Sequence, residues 1–350
     1  PADCSAADSP ARSESFVMTV KDILLTSVGQ EFAIFHSGTT EEQITGLTPG
    51  TIQDIQGYQF ETLPDLGKRL STFGTVNDVH FGETQCGLIE GTDIGPVLSV
   101  EPGETPYPEV MNAATVSAMA TRELDAVLVK GDLTSNGKQE EFDRFHEVYH
   151  SAFGDKLHFI RGNHESYHNP GLHPASQIQV SLPGVELAMI DTSQTGQANG
   201  TIYQADLDWL DALAQTATSP VMVFGHHHIW FPREERSATY FGIIPDASEQ
   251  LIDVMSRHES LVGYFAGHTH RNRVQMIAGK PYVEVASVKE FPGMWAHYEV
   301  FERGIIQVNH RANTSAALTW SEKTRVMYNG GYFDYAFGEL KDRSFVVCQT

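Results

Sequence analysis

The sequence predicts an α/β fold with largely parallel strands, preceded by a small N-terminal all-β module. Three observations predict it. After Leu70, apolar runs of strand length alternate with amphipathic helical segments, the pattern of strands linked by crossover helices. Before that point only short β-type runs occur, broken by turns containing Gly and Pro. Five of the later apolar runs end on Asn, Asp or His, just beyond the carboxyl ends of strands where α/β sheets bind their ligands.

Taken in order, residues 1–15 are small and polar without periodicity and are expected to form a disordered lead-in. Residues 16–68 make the β module, with strand-like runs at 16–20, 32–35 and 58–61. The turn Gly46-Leu47-Thr48-Pro49-Gly50-Thr51 resembles that of fibronectin type III-like modules, in about half the roughly 100 residues of a full sandwich, the alternative being extra strands attached to the main domain. The α/β domain is expected at 69–312. Its strands fall at 71–77, 126–130, 157–160, 186–190, 221–224 and 261–266, and its helices at 107–124, 138–153, 204–216 and 247–258. Residues 295–310 read as one or two further strands. Two connections are long enough to carry function: 82–106, rich in Gly and Pro, and 229–245, which holds Trp230, Phe231, Tyr240 and Phe241. Residues 313–350 form a C-terminal extension. Its aromatic stretch 328–337 is expected to pack on the domain, over a pocket, or across a homodimer.

The five strand ends are Asn77-Asp78-Val79-His80, Gly131-Asp132, Gly162-Asn163-His164-Glu165, Gly225-His226-His227-His228 and Gly267-His268-Thr269-His270. Singly, each has an ordinary reading: Gly-Asp and Gly-Asn are turn dipeptides, and a His triplet serves equally as a buried polar cluster. Together, each after its own apolar run, they make one converging donor set. Asp78 with His80, and His268 with His270, stand at i and i+2, which in extended backbone turns both side chains to one side, so each pair could grip one ion. Imidazole nitrogens with carboxylate and amide oxygens, and no thiolate, suit Mn, Fe or Zn better than calcium or a structural zinc.

The series D-x-H, GD, GNH-E, H, GHxH resembles the calcineurin-like metallophosphoesterases, over roughly residues 70–310. Within them, Gly131-Asp132-Leu133-Thr134-Ser135-Asn136-Gly137, followed by Glu140, Glu141 and Phe142, is most similar to the class III cyclic nucleotide phosphodiesterases. Purple acid phosphatases fit less well, placing a Tyr where this chain has Ser135. Ser/Thr protein phosphatases follow GD with a V-D-R-G signature that is absent. The resemblance implies a four-layer αββα sandwich holding two divalent ions. Asp78, His80 and His270 would hold the first, Asn163, His226 and His268 the second, and Asp132 would bridge them. The fourth motif departs from the family, with His226-His227-His228 in place of His-His-Pro. His226 is therefore assigned by order, with His227 as the fallback.

The same resemblance places His164 near the leaving oxygen as proton donor, and makes hydroxide rather than a side chain the nucleophile. His227, His228, Trp230 and Phe231 are the expected substrate contacts, with Tyr240 and Phe241 in the same loop available to stack a base. Arg233 and Arg236 are either phosphate contacts or solvated. Glu165 is expected to hydrogen-bond a ligand His, or to serve as an ordinary helix N-terminal acid. His146, His150, His158, His168, His173 and His258 lie off the five strand ends and read as structural or surface. The expected activity is hydrolysis of small phosphate diesters, 3',5'-cyclic nucleotides foremost. A phosphomonoesterase on the same ions is the first alternative. A non-catalytic scaffold is the second, and it would predict missing ligands, whereas each ligand position is filled.

Composition bounds the partners. With 350 residues, 41% of them hydrophobic, the chain can bury one large core or two smaller ones. A formal charge of -22 repels nucleic acid polymers. It leaves a small phosphate ester admissible, because a bound divalent pair would be the largest local charge in such a site. No apolar run approaches the roughly 18 residues of a spanning helix. Cys4, Cys86 and Cys348 show no C-x-x-C spacing. Free thiols in a cytoplasmic protein are the expectation, Cys4 with Cys348 being the one pair that adjoining termini would bring together. The chain starts at Pro1 and reads as a processed or trimmed form.

Overall fold

The computed structural model describes residues 23–89, 91–169, 171–172, 177–237 and 240–349. The strand expected at 16–20, the lead-in, Cys4 and His173 lie outside them. Element order is β1 (Leu24–Val28), β2 (Phe32–Ser37), β3 (Thr40–Thr45), β4 (Ile52–Ile55), β5 (Tyr58–Glu61), β6 (Arg69–Val76), α1 (Tyr107–Ala120), β7 (Ala126–Lys130), α2 (Gln139–Phe153), β8 (Leu157–Ile160) and α3 (Asn163–His168). There follow β9 (Gln177–Leu182), β10 (Val185–Ile190), α4 (Gln204–Thr216), β11 (Val221–Phe224), α5 (Pro245–Arg257), β12 (Leu261–Ala266), β13 (Arg273–Ile277) and β14 (Lys280–Glu284). The chain ends with β15 (Met294–Phe301), β16 (Gly304–Arg311), α6 (Ser315–Thr324), α7 (Tyr332–Phe337), α8 (Leu340–Arg343) and β17 (Ser344–Gln349).

Two six-stranded sheets form the centre, ordered β17-β16-β15-β6-β7-β8 and β13-β14-β12-β11-β10-β9. Both are mixed. β6, β7 and β8 run parallel in the first, and β10, β11, β12 and β14 in the second, with antiparallel strands completing each. The strand alternation sorts side chains by layer. Leu128, Met222 and Phe224 join Phe73, Phe265 and Tyr298 between the sheets. The neighbours Val127 and Val129 face outward onto α1 and α2 with Met119, Phe145 and Tyr149. Val221 and Val223 face outward onto α4 and α5 with Leu210 and Leu251. The result is a four-layer αββα arrangement, in which each fully buried Leu or Phe contributes about 1.5–3 kcal/mol.

The six strands predicted for the α/β domain are all present, but they divide between two sheets, three in each. Periodicity reports that a strand is buried on both faces, not which sheet it joins. β9, β13 and β17 went unpredicted because they are edge strands of mixed burial, such as Arg273–Ile277, and β14 because Lys280, Pro281 and Glu284 leave it no unbroken apolar run. In the N-terminal region, β1, β2 and β3 form one antiparallel sheet and β4 with β5 a hairpin, and the described residues contain no seven-stranded sandwich. This region is tied to the chain's other end: Arg343 donates to the carbonyls of Thr26 (2.8 Å) and Leu25 (3.0 Å), and Ser344 Oγ accepts from Val28 N (2.9 Å). The C-terminal segment packs on α1, with Trp320 stacked on Tyr107 at 4.3 Å. Cys86 and Cys348 are free thiols. No helix among the described residues is long and apolar enough to cross a membrane.

Buried imidazoles give the fold an acid limit. His297 on β15 bonds Thr72 Oγ1 at 2.7 Å. Burial first, then the charges of Arg122 and Arg69, push it down to about 3. The unfolded chain therefore takes up a proton that the folded one refuses. This contribution to stability is complete above pH 6.5 and is lost as pH falls toward 3, by about 1.4 kcal/mol per pH unit. Urea unfolding of the metal-free protein should show a shallower loss of stability between pH 6.5 and 4.5 in His297→Gln than in the parent.

Candidate metal centre

The loops after β6, β7 and β8 in one sheet and after β11 and β12 in the other meet at one end of the sandwich. Asp78, His80 and His270 present ligand atoms within 4.8 Å of one another, as do His226, His227 and His268. Asp132 lies within the same reach of His80 and His164, and also of Asp78 and His226. The two clusters are therefore contiguous, with Asp132 between them.

Backbone geometry builds this junction. Asp78, His80, Asp132, His268 and His270 all have positive φ, between 46° and 67°. Non-glycine residues in that region each store about 1–3 kcal/mol, and such strain gathers at functional sites. The i, i+2 spacing of Asp78/His80 and His268/His270 thus works through left-handed turns rather than through the extended backbone expected from sequence. The turn after β6 is held by amide donors of Val79 and His80 to Asp132 O, at 3.0 and 2.9 Å. Two glycines are needed for close approach. A Cβ on Gly131 (φ 85°) would sit 2.6 Å from His226 Nδ1, and one on Gly162 would collide with the Asp132 carboxylate.

Hydrogen bonds decide which nitrogen each histidine offers. His226 Nδ1 donates to Lys130 O at 2.8 Å, turning Nε2 toward Asn163 Oδ1 (3.0 Å) and Asp132 Oδ2 (3.3 Å). His268 Nε2 donates to Phe241 O at 2.9 Å, leaving Nδ1 for the centre. His270 Nδ1 bonds Glu290, and its Nε2 lies 3.4 Å from Asp78 Oδ1. His164 Nδ1 donates to Ser135 O at 2.7 Å, so its Nε2 faces Asp132 Oδ2 at 3.9 Å. Its backbone N–H also donates to Asp132 Oδ1 at 3.0 Å.

This donor set fits a pair of cations. Both ring nitrogens of His80, and Nε2 of His227, are buried without a hydrogen-bond partner, an expensive state for groups that have only one another and carboxylates nearby. Burial opposes ionisation of Asp78 and Asp132, yet the surrounding imidazoles hold both carboxyls below their usual range. Burial likewise pulls His226 and His270 down. The carboxylates outweigh it: Asp132 and Asp78 push His226 up to about 9, and Glu290 and Asp78 push His270 up to about 10. The pocket is one that calls for positive charge. His80, His227 and His268 are kept neutral by burial and neighbouring cations, the state in which imidazole ligates metal.

Other expected site residues fall differently. His226 rather than His227 approaches Asp132, while His227 Nδ1 pairs with Thr192 Oγ1 at 2.8 Å. His228 turns to Tyr240 OH at 3.1 Å, and burial with Arg271 and Arg273 pushes it down to about 3. Trp230 and Phe231 are not open stacking surfaces. Trp230 is buried, with Nε1 on Glu235 O and Arg236 over its ring, and Phe231 belongs to the core beneath the second sheet. The sequence run is apolar enough to enter the core, and it does. The exposed aromatic of that loop is Phe241, 54% exposed and stacked on His268 at 4.1 Å. Glu165 bonds no ligand histidine. It accepts from Gly162 N (2.8 Å), Thr134 N and Thr134 Oγ1 (both 2.7 Å), clamping the loops after β7 and β8 together. Arg236 pairs with Asp246 and Glu249. His258 pairs with Asp211 at 2.8 Å, and His146 stacks on His150 within α2. Sequence reasoning missed Glu290, Lys289, Glu83 and Tyr332, which surround His270 and His80 but carry no motif.

A sequence profile described as calcineurin-like phosphoesterase matches residues 72–272, more than half of the chain. Over 159 residues the chain is 30% identical to a glycerophosphodiester phosphodiesterase of Enterobacter lignolyticus (strain SCF1), covering 42% of this chain and 56% of that one. Over 186 residues it is 24% identical to a cAMP/cGMP dual specificity phosphodiesterase of Mycobacterium tuberculosis (strain CDC 1551 / Oshkosh), covering 47% and 54%. The chain thus spans about half the length of these curated relatives. Among solved structures it is similar to a dimetal phosphatase from Danio rerio, with a TM-score of 0.56 at 15% identity over 70% of this chain and 97% of that one. That likeness is one of fold.

Proposed function

The chain belongs to the calcineurin-like phosphoesterases, and from that premise we propose that it is a metal-dependent hydrolase of small phosphate diesters, with 3',5'-cyclic nucleotides the leading substrates. The observation that carries the reading is Asp132, a buried carboxylate reached from both donor clusters. Asp78, His80 and His270 would hold one divalent ion, Asn163, His226 and His268 the other, and Asp132 both. Such a pair, when bound, lowers the pKa of a water and neutralises charge on the phosphoryl oxygens.

The protein's own groups do the rest. Glu165 fixes the loops that carry Asp132 and His164. His164, with Nδ1 committed to Ser135 O, presents Nε2 on the Asp132 side, where it can give a proton to the departing oxygen. Phe241 offers an exposed ring beside His268 for an apolar or aromatic substrate part. Names of relatives that specify diesters support the choice of diester over monoester.

The test is turnover of 3',5'-cyclic AMP, bis-p-nitrophenyl phosphate and p-nitrophenyl phosphate on protein stripped by chelator and reloaded with manganese. Activity should vanish on stripping and return on reloading, with higher kcat/KM on the diesters. Preference for the monoester would replace the diesterase reading by a phosphomonoesterase on the same residues. No turnover of any of the three would overturn the proposal.

A further inference from the structure

His270 is backed by a carboxylate that the family's sequence pattern does not contain. Its Nδ1 bonds Glu290 Oε1, and the Glu290 side chain is 2% exposed. The same oxygen accepts the Tyr332 hydroxyl at 2.7 Å. Glu290 Oε2 accepts Lys289 Nζ at 2.5 Å and the Cys86 thiol at 3.1 Å. Lys289 Nζ also donates to Glu83 Oε1 at 3.0 Å, and Glu83 Oε2 lies 3.5 Å from His80 Nδ1. The two histidines of one cluster are therefore joined from behind through a Glu-Lys-Glu chain in which Lys289 and Glu290 are buried and Glu83 is partly exposed. By contrast, His226 and His268 give their rear nitrogens to the neutral carbonyls of Lys130 and Phe241.

The C-terminal helix α7 holds this arrangement at two points. Tyr332 holds Glu290, and Tyr335 OH donates to Thr269 O at 2.7 Å, between the two histidines of the GHxH turn. Ala336 O then accepts from Asn272 N at 3.0 Å, just past that turn. Glu290, Tyr332 and Tyr335 all lie outside the residues 72–272 matched by the family profile.

We propose that Glu290 is a positioning residue for His270, and that α7 holds it and the Thr269 turn in place through Tyr332 and Tyr335, making the C-terminal segment part of the metal centre. The proposal rests on the reading of His270 as a metal ligand. A carboxylate on Nδ1 fixes the tautomer, aims the Nε2 lone pair at the cluster and makes it a stronger donor; losing such a partner typically costs 10–100-fold in metal affinity. The buried Tyr332 hydroxyl restricts Glu290 to the orientation that does this.

The experiment is equilibrium dialysis of the chelated 350-residue chain against Mn²⁺, comparing the parent with Glu290→Gln and Tyr332→Phe, alongside urea unfolding of each metal-free protein. The parent should take up two ions. Glu290→Gln should bind one of them roughly 10–100-fold more weakly, and Tyr332→Phe roughly fivefold more weakly, the worth of one hydrogen bond, with the other ion unaffected in both. A merely structural role would lower the metal-free unfolding midpoint and leave both affinities unchanged, which overturns the proposal. Tyr332→Phe removes a single oxygen and carries the test if Glu290→Gln does not fold. A parent that takes up no Mn²⁺ would overturn this proposal and the proposed function together, whereas two bound ions with unaltered variants would overturn this one alone.

Discussion

Asp132→Asn is expected to reduce turnover of a phosphate diester by roughly a thousandfold or more, equivalent to about 4 kcal/mol of transition-state stabilisation. The substitution keeps the size of the side chain, and its oxygen can still accept the His164 N–H now bonded at 3.0 Å. What is lost is the negative charge that both clusters share: Asp132 stands with His80 and His164 on one side and with Asp78 and His226 on the other. An amide nitrogen turned toward His226 Nε2, now 3.3 Å from Asp132 Oδ2, would oppose a cation rather than hold one. Metal analysis should therefore find fewer than two ions in the variant, while its circular dichroism matches that of the parent. Two retained ions with near-normal turnover would show that Asp132 bridges nothing.

His164→Ala is expected to separate chemistry from metal binding. The ring is held by Ser135 O and lies edge-on to His80 at 4.5 Å, yet it remains the more accessible imidazole there, with its side chain 26% exposed. A group so placed can meet the leaving oxygen. Turnover of 3',5'-cyclic AMP, whose leaving group is a sugar alkoxide, should fall by roughly 10²–10⁴, about 3–5 kcal/mol. For bis-p-nitrophenyl phosphate, whose phenolate leaves without a proton, the fall should be much smaller, and the metal content should stay at two. Equal losses on both substrates would assign His164 to positioning Asn163 or Asp132 rather than to proton transfer.

The residues of the candidate site were legible because each donor follows its own apolar strand, and strand-then-turn is a local pattern. The geometry was not legible in the same way. Left-handed backbone at Asp78, His80, His268 and His270 goes with contacts between separate strand-end loops, such as the donors of Val79 and His80, after β6, to Asp132 O, after β7. Trp230 and Phe231 illustrate the opposite failure. An aromatic pair in a long loop beside a motif suggests a ligand surface, but buried apolar area favours the core, and Phe241, eleven residues after Trp230, is the ring left exposed.

The sequence by itself therefore determined the alternation of strands and helices, the order of the donor residues, and a donor set of imidazole, carboxylate and amide groups without thiolate. These follow from short-range rules of periodicity, turn propensity and ligand type. Only the tertiary structure decided that the parallel strands belong to two facing sheets, that Glu165 clamps two loops instead of a histidine, and that Glu290 and Tyr332 stand behind His270. Each of these depends on groups distant in sequence that the common core brings together, as with Tyr332 and His270, 62 residues apart. Burial of the layers brings such pairs into contact, and the need to satisfy every buried charge then selects their partners.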